Sequence, residues 1–139
     1  MNPHQDTPVE ILHTVLLGFV KYFWRDAVSR QTAEGKRLLK TRLSSLSTAG
    51  LQISPLSGHT LVQYAGSLTG RDFRAVIQAA PAVLYDLLPQ VIYDAWLALA
   101  RLCSLVYQPA ISDIDSYSVR IFFTYNPCSQ SDSIECRLN

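Results

Sequence analysis

The sequence predicts an all-α protein, an irregular bundle of about five to six helices followed by a poorly ordered, extended C-terminal tail. Three observations predict it. Apolar residues recur at helical spacing through most of the chain. Pro and Ser/Thr sit where helices begin, as at Thr7-Pro8, Thr32, Thr69 and Pro89. The period-two alternation of a strand is absent until Val119. A chain of 139 residues with 48% hydrophobic and 17% charged residues suits one domain with a core. The expected division is a helical domain over 1–117 and an irregular tail over 118–139.

The first helix is expected to start at Thr7-Pro8 and run to about Arg30, with Glu10 in its first turn. Leu12, Val15, Leu16, Phe19, Phe23 and Ala27 form its main stripe, but apolar residues fill the other faces too. Such a helix is buried by several neighbours or by a partner chain. The second helix should begin after Thr32 and end near Ser47, with Leu39, Leu43 and Leu46 inward. Thr48-Ala49-Gly50 stops it. A short helix is expected over Gly58–Ala65. Thr69 and Asp72 have the spacing of a capping box and should start the next helix, which carries Phe73, Val76, Ile77 and Ala80 before Pro81 kinks it. Pro89 opens the most amphipathic helix, with Trp96, Leu99 and Cys103 buried, and Gln108-Pro109 ends it. Ser112 is the expected cap of a last helix. Val119–Tyr125 reads as a strand, and a lone strand has nothing to pair with. Val119-Arg120 can be encoded by GTG-AGN, the start of a common intron donor. The residues from Val119 onward are therefore expected to be translated intron that packs on nothing.

Net charge is +1, which gives no global field toward nucleic acid or membrane. The charge is uneven. Lys21, Arg25, Arg30, Lys36, Arg37, Lys40 and Arg42 face only Asp26 and Glu34 between positions 21 and 42. Asp86, Asp94, Asp113 and Asp115 face only Arg101 between 86 and 115. The two stretches are expected to pair with each other. Lys36, Arg37, Lys40 and Arg42 are nonetheless the candidate nucleic-acid contacts, with a solvated face as the alternative. The apolar run Ile11–Trp24 is short of the ~20 residues that span a bilayer, so no membrane partner is expected. The first ten residues lack a signal-peptide pattern. The expected location is intracellular, in nucleus or cytoplasm, and not secreted.

Glu10 and His13 lie three apart on one helix face. A di-iron bundle needs two Glu-x-x-His units and two more Glu; Glu10, Glu34 and Glu135 are the chain's three glutamates, so that site is excluded. The alternative is a first-turn Glu with a histidine satisfied in the core. His59 lacks the G-x-S-x-G turn of a serine hydrolase. Gly66-Ser67-Leu68-Thr69-Gly70 lacks the Lys-Ser/Thr pair of a phosphate loop. Cys103 reads as core, and Cys128 and Cys136 lack zinc-ligand spacing. No metal, cofactor or catalytic residue is expected.

The blocks Pro8–Trp24, Gly58–Arg74 and Leu84–Pro89 resemble fungal proteins related to CACTA-type DNA transposases, and the likeness covers roughly residues 8 to 117. The resemblance implies a piece of an enzyme with an RNase H-like core, in which two Asp and a Glu hold two divalent metals. Glu10-Ile11-Leu12-His13 matches the acid-x-x-His signature of such families, with Glu10 in the acid position, and the helices after it match a helical insertion. The first two catalytic acids would lie before Met1 and the third beyond the helix begun at Ser112; Glu135 takes no such role. The resemblance therefore implies a non-catalytic remnant of a mobile-element protein. Two alternatives remain open: a helical interaction module whose apolar first helix binds another helical protein, and a small DNA-binding module using the basic helix near Lys36.

Overall fold

In the computed structural model the described residues are 12–51, 53–107 and 112–125, with 121–125 described by backbone alone. Glu10, the Thr7-Pro8 start, Gln108-Pro109 and the tail from 126 lie outside them. Among the described residues there are six helices and no strand. Helix α1 has two parts, Leu12–Val20 wound as a π-helix and Lys21–Ser29 as an α-helix. The others are α2 (Ala33–Ser45), α3 (Gly58–Gln63), α4 (Gly70–Val83), α5 (Gln90–Val106) and α6 (Ile114–Tyr125).

The wide opening of α1 changes which residues face inward. Each π-type turn holds about one residue more than an α-turn and so shifts the inner stripe by about one position. Val15, Leu16, Val20, Trp24, Ala27 and Val28 are buried, while Leu12 and Phe19 are exposed and Phe23 is half-buried. The 3–4 stripe expected through Leu12, Phe19 and Phe23 is corrected accordingly.

Trp24 is fully buried and joins three helices. Its indole Nε1 donates to the Leu61 carbonyl of α3 at 2.8 Å, which removes the cost of burying that N–H. Its ring meets Trp96 of α5 edge-on, with centroids 6.3 Å apart. Phe23 meets Trp96 in the same manner at 5.7 Å. Phe73, Val76, Ile77 and Val83 of α4 and Leu39 and Leu43 of α2 complete the core. Among the described residues every buried side-chain polar atom has a hydrogen-bond partner.

The caps explain where helices start. Thr32 accepts from the Gly35 N–H at 3.1 Å. Thr69 and Asp72 form the reciprocal box over α4: the Asp72 carboxylate accepts from the Thr69 N–H at 2.8 Å and the Thr69 hydroxyl accepts from the Asp72 N–H. Pro81 lies inside α4, which continues only to Val83, and its carbonyl accepts from the Tyr93 hydroxyl at 2.8 Å. Trp96 and Cys103 are buried as expected, whereas Leu99 is half-buried. Gly50 turns the chain after α2 with φ 83°.

Two expectations near the end of the chain are corrected. The cap of α6 is Asp113 and not Ser112: its carboxylate accepts from the Asp115 N–H at 3.0 Å and the Ser116 N–H at 3.3 Å. These bonds favour the charged form and hold the Asp113 carboxyl below its ordinary value. Val119–Tyr125 is helix, not strand, so α6 crosses the 117/118 boundary drawn for the domain. A capped start lets the helix run on through β-branched and aromatic residues, whose preference for strands is weak without a partner sheet. Helix α6 packs against α5.

Candidate functional site

The basic residues of α2 do not act as one group. Arg42 leaves the helix sideways and forks onto Asp86, with NH2 to Oδ2 at 3.0 Å and NH1 to Oδ1, and NH1 also donates to the Val83 carbonyl at 3.1 Å. This is the expected pairing of the basic and acidic stretches, realised at one point. The guanidinium holds the Asp86 carboxyl below its ordinary value. Gln31 reinforces the same junction, donating to the Leu87 carbonyl at 3.0 Å. Arg42 therefore clamps α2 to the turn between α4 and α5. Arg37 pairs with Glu34 one turn back, in the open. Lys36 and Lys40, one turn apart, make no ion pair among the described residues.

Lys40 shares a shallow basin with Thr41, Ser44, Ser45 and His59. The basin exists because α3 starts directly on α2. Gly58 donates its N–H to the Ser44 hydroxyl at 3.2 Å, and a Cβ built at Gly58 would lie 2.0 Å from the Lys40 carbonyl oxygen. Only the absent side chain allows this approach. Of the four candidate nucleic-acid contacts, the fold thus leaves Lys36 and Lys40 available, commits Arg37 locally and uses Arg42 as a strut. His59 joins Lys40, a neighbour that sequence spacing does not reveal.

His13 lies on the π-wound part of α1 and is exposed, not in the core. Glu10 lies outside the described residues, so the acid-x-x-His unit is described by its histidine alone. Among the described residues no three His, Cys, Asp or Glu side chains converge as a metal site would need. Cys103 is buried, and burial pushes its thiol up to about 11, which keeps it in the unreactive thiol form at neutral pH.

The outer face of α1 leaves aromatic side chains exposed. Phe19 is 55% exposed and Tyr22 61%, whereas Leu12, 41% exposed, lies against Gly70 at the start of α4. A second feature escaped the sequence. A cleft of about 390 Å³ lies between the 53–57 segment, α3 and the first turns of α4, with Arg71 and Arg74 among its walls. The signal for it was the capping box, which occupies the Asp between those two arginines.

Compared with known protein families, curated proteins and solved structures, the chain matches none. Among the described residues no helix is long and apolar enough to cross a membrane.

Proposed function

We propose that the chain is a non-catalytic helical module of transposase-like, mobile-element origin that works in the nucleus or cytoplasm by contacting another helical protein through α1. The observation that carries this reading is the two-sided α1. Its inner face is consumed by the chain's own core, and its outer face keeps Phe19 and Tyr22 in water. Phe19 and Tyr22 lie three apart, one of the spacings of helix-in-groove anchors, and aromatic anchors carry most of the energy of such contacts. The mobile-element origin is supported by the resemblance of Pro8–Trp24, Gly58–Arg74 and Leu84–Pro89. The first two of these blocks meet at the Trp24–Leu61 hydrogen bond.

A photoreactive residue in place of Phe19 tests the contact in cells. The expected result is a cross-linked helical protein that is lost on Tyr22→Ser. Cross-linking no stronger than from the same residue at Leu38 on α2 would overturn it. On this reading the purified chain neither cleaves nor joins DNA with Mg²⁺ or Mn²⁺. Cleavage that disappears on Glu10→Gln would overturn the non-catalytic part.

A second reading has a specific observation behind it: Lys36 and Lys40 lie one turn apart with no carboxylate partner among the described residues. On it, these lysines touch duplex phosphates. Two such contacts give a log–log salt slope of about −2, which Lys36→Gln with Lys40→Gln should flatten.

A further inference from the structure

We propose that the cleft beside the start of α4 binds a small organic anion, a compound with a phosphate or carboxylate head and an apolar body. The cleft measures about 390 Å³, within the size range of small-molecule sites. Ile53, Leu56, Leu61 and Ala75 give it an apolar lining, and Ser54, Ser57 and Thr60 line one side with hydroxyls. Arg71 and Arg74 stand across from them. They are three apart on α4, so they share a helix face.

The charge accounting sets the ligand class. Among the described residues the single carboxylate in the lining is Asp72. It is occupied by the cap of α4, with Oδ2 accepting from both the Thr69 N–H at 2.8 Å and the Thr69 hydroxyl at 2.7 Å. Neither arginine has an ion-pair partner among the described residues. The Arg74 guanidinium lies over the Tyr107 ring, 5.5 Å from its centroid, on the side of the cleft toward α5. A cation–π contact restrains a guanidinium while leaving its N–H groups able to donate. The result is two exposed guanidinium donors without a carboxylate partner among the described residues at the rim of an apolar pocket. Such forks match an oxyanion, with two parallel donors per head group. An inorganic ion satisfies the rim alone; an apolar body on the head also covers Ile53 and Leu56.

The test titrates the full-length chain with phenyl phosphate, benzoate and inorganic phosphate, following backbone amide shifts and binding heat. Phenyl phosphate and benzoate should saturate with shifts at Ser57, Thr60, Arg71 and Ala75. Inorganic phosphate should bind about tenfold more weakly, since it lacks the body that buries apolar surface. Arg71→Gln and Arg74→Gln should each weaken phenyl phosphate about tenfold. Arg71→Gln, on an exposed rim position, keeps the test valid should Arg74→Gln loosen Tyr107. Three results overturn the proposal. They are no saturable binding of any probe, equal affinity in wild type and Arg71→Gln, and shifts confined to Lys36, Lys40 and His59. Equal binding of all three probes would overturn the apolar half of it.

Discussion

Helices α1 and α4 lie against each other in the fold, yet they are specified in opposite ways. The start of α4 is written in four residues. Thr69 and Asp72 satisfy each other's backbone donors, and the neighbouring chain decides nothing. The inner face of α1 is written nowhere locally. Its residues are apolar all round, and the face that turns inward depends on the pitch of the helix and on what Trp24 reaches in α3 and α5. A cap is a short-range chemical agreement, whereas a buried face is settled by packing across the whole domain.

The contrast can be broken most directly at its packing end. Trp96→Ala removes the ring that both Phe23 and Trp24 meet. It should cost about 3–5 kcal/mol in urea unfolding, and a loss below about 1 kcal/mol would mean that α1 is not held by this contact. A paired substitution sharpens the point about pitch. Val20→Ala should cost about 2 kcal/mol by lost transfer and cavity terms. Phe19→Ala, one residue away, should stay within about 0.5 kcal/mol. The reverse order would show that α1 opens as an ordinary α-helix. At the local end, Thr69→Ala should cost about 1 kcal/mol, and Thr69→Asp should recover most of it in the same thermal melt. The smallest effect is electrostatic. Asp86 is depressed when folded by Arg42, so its contribution is full above the unfolded carboxylate pKa of about 3.9 and fades as pH falls through the lower folded value. Asp86→Asn should therefore lower stability at neutral pH and flatten its decline in acid, which melts across an acid series would read.

These expectations also mark what the sequence could carry. Thr32, Thr69 with Asp72, and Pro89 announce helix starts because each acts on donors within three residues. The stripe through Trp96 and Cys103 is legible because α5 keeps ordinary α spacing. Phe19 and Val20 exchange roles because a π-wound turn is invisible to a 3.6-residue template. Val119–Tyr125 looks like a strand by composition, but β-propensity needs neighbours, and Asp113 sets a helix instead. Arg42 is indistinguishable from Lys40 in sequence. Only the fold brings Asp86, forty-four residues away, into its reach. The Arg71–Arg74 cleft was hidden for a related reason: its walls come from three separate segments.

The meeting of Trp24 with Trp96 has an optical consequence. They are the chain's two tryptophans, both sealed from solvent, one with its N–H fixed on a carbonyl and the two ring planes at 90°. All indole emission therefore originates at the single place where α1, α3 and α5 close on one another. The folded chain should emit blue-shifted light resistant to aqueous quenchers, and opening α1 alone should move the whole spectrum to the red. The molecule carries its own gauge of that closure, readable without any label.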